Sequence, residues 1–318
     1  MNIPSSTGWR QRLNSGWEYR DIVAGGVAGR TAHEFYAGHY QHSTSEQWHR
    51  RLLAGQIRRG DERIEPSTVL LAGDRLTYRR PPWTEPAAPR WFAVLYDDGD
   101  LLVVAKPSGL QVLPAAEFLE NTLLHAVRGK FGDGPAPAHR LGRGTSGLVL
   151  FARSAPLRQG LAISFRDGGL RKVYRALVQG CDLEDSFEVD EPIGRVDYPG
   201  MGYVYAAERT GKPSRSIVRV LGRRPDADRS LVEVEIPTGR PHQIRIHLAA
   251  AGHPLVGEPL YDAGGRPRSA PEESSLRLPR PGDLGYHLHA TRVELTHPVT
   301  SAALQFYCRP PAALRLPA

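Results

Sequence analysis

The sequence is poor in cysteine, lysine and methionine, and it has no long apolar run. Two cysteines, Cys181 and Cys308, cannot build a disulfide framework, and no Cys-x-x-Cys pair is present for zinc or thiol redox chemistry. A reducing, cytoplasmic setting is expected. No apolar stretch approaches the ~20 residues of a membrane span. Met1 to Asn14 lacks the basic-then-apolar order of a secretory signal, so no membrane partner is expected. Only four of the 41 basic residues are lysine (Lys106, Lys130, Lys172, Lys212), and arginine supplies the rest. The net charge of +7 favours a polyanion, nucleic acid before membrane, although arginine excess also follows from genomic composition. With 318 residues, 40% of them hydrophobic, the chain is long enough for one large domain and one small one.

Residues 1–29 are polar and glycine-rich and read as an N-terminal extension. Thr31-Ala32-His33-Glu34 is a capping-box pattern, and Ser43-Thr44-Ser45-Glu46 is a second, opening a helix with Trp48 and Leu52 on one face. Ala54-Gly55 ends it. Residues 57–64 and 69–78 read as short strands, the latter broken by the turn Ala72-Gly73-Asp74. This region resembles the S-four-type RNA-binding domain at Gly55, Arg63 and Gly73-Asp74. The resemblance implies an RNA-binding domain over 30–82, with Arg50 and Arg51 as phosphate contacts; a generic small α/β cap is the alternative. The proline-rich stretch 83–90 reads as a stiff linker.

From Trp91 onward the strands are many and short: 94–97, 101–105, 148–152, 174–178, 216–221, 231–236 and 293–296. Val234 and Ile236 alternate with Glu233 and Glu235, the mark of a half-exposed antiparallel strand. The expected fold is α+β, a mixed, mainly antiparallel sheet over 91–318, with the small α/β domain before it. Residues 263–283 read as a mobile, proline-rich loop.

Gly142-Arg143-Gly144-Thr145-Ser146-Gly147 spells the dinucleotide fingerprint G-x-G-x-x-G. Its context excludes that reading. A dinucleotide loop follows a strand and opens a helix, whereas here a proline-rich segment precedes and the apolar run Leu148 to Ala152 follows.

The same stretch belongs to an ordered series: "LYDDGDLLVVAKPSGLQVLP" (95–114), "HRLGRGTSGLVLFARS" (139–154), "RKVYRALVQG" (171–180), "GKPSRSIVRVL" (211–221), "TGRPHQIRIHLAAAGHPLVGEPLYD" (238–262) and "HLHATRVELTHP" (287–298). Together these resemble the RluA-type family of RNA pseudouridine synthases. The resemblance implies an isomerase that turns uridine into pseudouridine in ribosomal or transfer RNA, acting as a monomer and without a cofactor. It implies that Tyr174 packs on the target base, that Arg245 pairs with a catalytic aspartate, and that Arg140 helps flip the base. His139, Arg143, Thr145 and Ser146 would lie with it at the RNA.

One role does not carry over. The family pattern has aspartate where this chain has Gly142, which has no side chain to act as nucleophile, base or ion-pair partner. A buried Arg245 without a partner would cost roughly 3–5 kcal/mol, so another anion is expected, with Glu258 and Asp262 as protein candidates and an RNA phosphate as the alternative. Loss of the aspartate leaves a second reading open, a catalytically silent RNA-binding protein on the same fold. His287 and His289 have the spacing of zinc ligands on a strand, but no cysteine or third histidine is close in sequence, and no metal is expected.

Overall fold

A computed structural model describes residues 8–40, 42–269 and 278–316. The chain divides into two compact units, Leu13–Glu85 with Asp197–Tyr203, and Met1–Arg12, Pro86–Val196 and Val204–Ala318.

The smaller unit holds a four-stranded antiparallel sheet in the order Trp17–Ile22, Arg75–Arg80, Ile57–Arg59, Glu62–Arg63. The helices Ala32–His39 and Ser45–Leu53 belong to the same unit. Both helices begin with capping boxes, which satisfy backbone donors that the first turn leaves open. Thr31 and Glu34 form the first, as the sequence suggests. The second is shifted by one residue: the cap is Thr44 and its partner Gln47. Trp48 and Leu52 are buried with Phe35, Tyr36 and Ile57 in the unit's own core. The supposed N-terminal extension contains a strand, Trp17–Ile22, that pairs along its length with Arg75–Arg80. The supposed linker also differs from expectation. Thr84–Ala88 is a strand paired with Arg10–Leu13, and a two-stranded ribbon tolerates Pro86 because every strand in it is an edge.

The larger unit is built on a ten-stranded sheet. Its main path runs Ser186–Val189, Ser216–Arg224, Arg229–Glu235, Leu170–Gln179, Leu288–Thr296, Ser146–Ala152, Leu101–Lys106, Ala93–Asp97. Every pairing is antiparallel except one: Ser146–Ala152 runs parallel to Leu288–Thr296. The run Leu148-Val149-Leu150-Phe151 does not alternate because both faces of its strand are covered, and every residue from Ser146 to Ala152 is buried. Burying each such side chain contributes about 1.5–3 kcal/mol. The helices Leu123–Phe131, Ala155–Arg166 and Gln243–Ala250 complete the unit. Among the described residues no helix is long and apolar enough to cross a membrane. The loop expected over 263–283 includes the short strand Arg266–Pro267, and residues 270–277 lie outside the described residues.

Candidate active site

The two strands of the parallel pair meet at the residues that carry the ordered motifs. Ser146 pairs with His289 and Gly147 with Ala290. Just before Ser146 the chain turns, with the Thr145 N–H donating to the Gly142 carbonyl (3.1 Å). A second loop latches this turn. The Ser108 hydroxyl donates to the Gly144 carbonyl (2.7 Å), and the Gly109 N–H to the Arg143 carbonyl (2.8 Å). Arg143 returns a bond from Nε to the Gly109 carbonyl (3.2 Å) and lies over the Phe118 ring.

Lys106 anchors the same latch from a buried position. Its ammonium donates to the carbonyls of Pro107 (3.0 Å), Leu110 (2.7 Å) and Arg143 (3.2 Å). Burial, aided by the charge of Arg143, pushes its pKa from 10.5 down to about 7. The unfolded chain therefore holds this proton up to about 10.5, whereas the folded protein releases it near 7. Between those values the unfolded state binds more protons, so this group makes stability rise with pH, by at most ~1.4 kcal/mol per pH unit. Urea unfolding at pH 7, 8 and 9 should show this slope, and Lys106→Met should flatten it while lowering stability through the lost bonds.

The turn opens onto a cavity of about 100 Å³, whose lining includes Arg140, Gly142, Thr145, Tyr174, Arg245 and Tyr286. Tyr174 comes from the strand Leu170–Gln179, where the register against Leu288–Thr296 shifts between Val173 and Tyr174. It is buried, and burial raises its pKa to about 12, so the phenol stays neutral at physiological pH. Arg140, exposed, stands at the cavity.

Arg245 projects from the helix Gln243–Ala250, which is buried from Gln243 to Ala249. Its side chain is only 2% exposed and that of Glu258 is 0% exposed. Arg245 donates from Nε to Glu258 Oε2 (2.8 Å) and from Nη2 to Oε1 (2.5 Å), a two-pronged pair. Nη1 donates to the Pro281 carbonyl (3.1 Å). The guanidinium lies 4.3 Å from the Tyr286 ring centre and 5.1 Å from that of Tyr261. Burial alone would lower the pKa of Arg245; Tyr286, Glu258 and Tyr261 reverse this and hold it above the ordinary value.

The sequence candidates thus separate. Tyr174, Arg245, Gly142, Arg140 and Thr145 share the cavity. Of the two carboxylates, Glu258 meets Arg245, while Asp262 is exposed and lies 3.9 Å from Arg268. Ser146 is turned to structure, its Oγ 2.8 Å from His289 Nδ1. His289 in turn has Nε2 3.1 Å from the Cys308 carbonyl, and burial lowers its pKa to about 4. His139 Nε2 accepts from the Leu150 N–H (3.2 Å), which fits a ring that burial keeps neutral down to about 4. Arg143 is committed to the latch. Arg50 and Arg51 belong to the smaller unit. Arg50 is exposed beside Glu46 (3.5 Å), and Arg51 stacks over Trp48 while donating to Ser43 Oγ (2.9 Å).

Sequence reasoning did not single out His242 and Tyr286. His242 has positive φ at the helix start and lies 2.6 Å from the Tyr261 hydroxyl; burial and the charges of Arg245 and Arg140 drive its pKa well below 6.5. It stood inside the motif with Arg245, a signal that was available. Tyr286 stands one residue before the motif at 287–298, and a lone tyrosine there carries no signal.

Residues 100–250 match the family model described as RNA pseudouridylate synthase. An uncharacterized RNA pseudouridine synthase of Synechocystis is 42% identical, over 89% of this chain and 95% of that protein. The ribosomal large subunit pseudouridine synthase D of Zymomonas mobilis is 33% identical over 70% of each chain. The solved structure of human RNA pseudouridylate synthase domain containing 1 superposes with a TM-score of 0.55 at 27% identity, covering 73% of this chain and 89% of its own.

Proposed function

The chain belongs to the RNA pseudouridine synthase family, and on that premise we propose that it isomerises uridine to pseudouridine in ribosomal or transfer RNA at the cavity holding Tyr174 and Arg245. The observation that carries this reading is convergence. Arg140 and Gly142, Tyr174, Arg245 and Tyr286 come from four separate stretches of sequence and line one cavity. The reaction needs a base removed from its stack, a broken N1–C1′ bond, a turned ring and a new C5–C1′ bond. The neutral Tyr174 ring supports the base while it turns, and exposed Arg140 enters the RNA where the nucleotide leaves. Gly142 occupies the family's aspartate position, so the reaction here runs without a carboxylate from that residue. The reading as a silent RNA binder is not favoured, because relatives matched over most of their length are named as synthases.

The smaller unit acts as an S-four-type RNA-binding domain, with Arg50 the freer phosphate contact. The two free thiols, Cys181 and Cys308, suit a reducing cytoplasm. The protein works as a monomer. Its affinity for RNA should fall as salt rises, through release of counterions from phosphate.

The test is tritium release from RNA carrying 5-tritiated uridine, isolated from cells lacking this protein. The unaltered protein is expected to release tritium and Tyr174→Ala to lose the activity. Tight binding with no release would overturn the assignment.

A further inference from the structure

The cavity has an unusual charge balance for the chemistry proposed. Its described lining includes three arginines, Arg140, Arg240 and Arg245, and no aspartate or glutamate. Glu258 does not supply the missing carboxylate. It is fully covered, Oε2 accepts from Arg245, and Oε1 accepts from Arg245 and from the backbone N–H groups of Leu260 (2.9 Å) and Tyr261 (3.3 Å). The Tyr286 hydroxyl crowds the space beside Gly142. A Cβ built on Gly142 falls 3.0 Å from the Tyr286 hydroxyl and 3.4 Å from Thr145 Oγ1. A side chain at Gly144 would require this ring to shift, since its Cβ would lie 2.8 Å from Tyr286 Cζ. The hydroxyl lies 3.3 Å from Thr145 Oγ1, and the ring is covered by the Arg245 guanidinium.

We propose that Tyr286 is a catalytic residue of this site, its hydroxyl donating a hydrogen bond to the uracil as it departs as an anion. This rests on the reading of the cavity as a uridine site. The N1–C1′ bond breaks with its electron pair staying on uracil, leaving positive charge on the ribose and negative charge spread over the base. After the base turns, C5 gives an electron pair to C1′ to form the new bond. The C5 proton then leaves to water, and N1 takes a proton from water. A carboxylate would favour the ribose cation; a phenol donor, with Arg140 and Arg240 at the same cavity, favours the uracil anion. A preorganised donor at a point where charge develops is worth about 10²–10³-fold in rate.

Single-turnover reactions at saturating enzyme, followed by nucleoside chromatography, test the assignment. Tyr286→Phe should slow pseudouridine formation about 10²–10³-fold with RNA affinity unchanged. Transcripts with 2-thiouridine or 4-thiouridine for uridine weaken one acceptor at a time. One of them should slow the unaltered protein and leave Tyr286→Phe no slower, the non-additivity of groups in contact. Tyr286→Phe within about twofold of the unaltered protein, a change smaller than one hydrogen bond is worth, would overturn the assignment. So would losses that multiply for both analogues, because a merely structural tyrosine gives that pattern and also covers a variant that folds poorly. No pseudouridine from the unaltered protein would overturn the uridine-site reading and this assignment with it.

Discussion

Glu258→Gln is expected to lower stability by about 3–5 kcal/mol, because it leaves Arg245 charged, buried and without its anion. The cost is this large because no escape is open to the arginine. It is 2% exposed, its helix is buried, and Tyr286 and Tyr261 lie against its guanidinium. The glutamine keeps the volume and one carbonyl acceptor, so the backbone donors of Leu260 and Tyr261 are partly retained and the loss reports the charge. Urea unfolding of both proteins measures it. The double variant Glu258→Gln, Arg245→Met should recover much of the loss, since removing both charges avoids the unpaired one. A single variant as stable as the unaltered protein would show that Arg245 finds another anion.

The second large effect is expected at Gly147. Its φ is +112°, a conformation that side chains rarely adopt. A Cβ there would lie 2.2 Å from the Ala290 carbonyl oxygen and 2.7 Å from the Ala290 nitrogen. The neighbour is backbone on the facing strand, so no side chain can rotate away. Gly147→Ala must separate the two strands or twist the turn at Gly142–Thr145, and the cost should exceed about 4 kcal/mol. Thermal unfolding checks the stability, and tritium release from the residual folded protein checks the site. By comparison, Gly129→Ala, in the helix Leu123–Phe131 with nothing within 4 Å, should leave tritium release unchanged and raise stability by about 0.5–1 kcal/mol.

The seven strands expected in the larger unit were legible because their chemistry is local, whereas Ser186–Val189 and Ala303–Tyr307 of the same sheet were not expected. Leu148 to Phe151 form an uninterrupted apolar run, and the strand observed there, Ser146–Ala152, extends the expectation by Ser146 and Gly147, which pairing recruits. The shifted cap at Thr44 was not legible. Ser43 and Thr44 are both competent caps, with Glu46 and Gln47 both able to reach back. Burial of Trp48, a tertiary fact, fixes which one is used. The strand Thr84–Ala88 was hidden by its proline, since a two-stranded ribbon makes fewer demands on backbone donors than a central strand does.

The site was legible in the same uneven way. An acid for Arg245 could be required from electrostatics alone, but Glu258 and Asp262 differ only in what surrounds them. One is sealed beside the helix and the other faces solvent. Tyr286 could not be found at all from its neighbours in sequence. Its place against Gly142 spans 144 positions and exists only because two distant strands run side by side.

That parallel pairing also sets an order of events during synthesis. Leu288–Thr296 lies between Ser146–Ala152 and Leu170–Gln179, so a strand that leaves the ribosome after both of its neighbours sits between them in the finished sheet. Until it emerges, the strands bearing Tyr174 and the Gly142 turn have no partner between them, and the nascent chain carries two open strand edges. Contacts of such long sequence separation close slowly and leave apolar edges exposed in the interval. The cavity is therefore assembled only when this strand closes the sheet. A chain stalled before residue 288 would emerge with its smaller unit and its first hairpins formed and its cavity unmade.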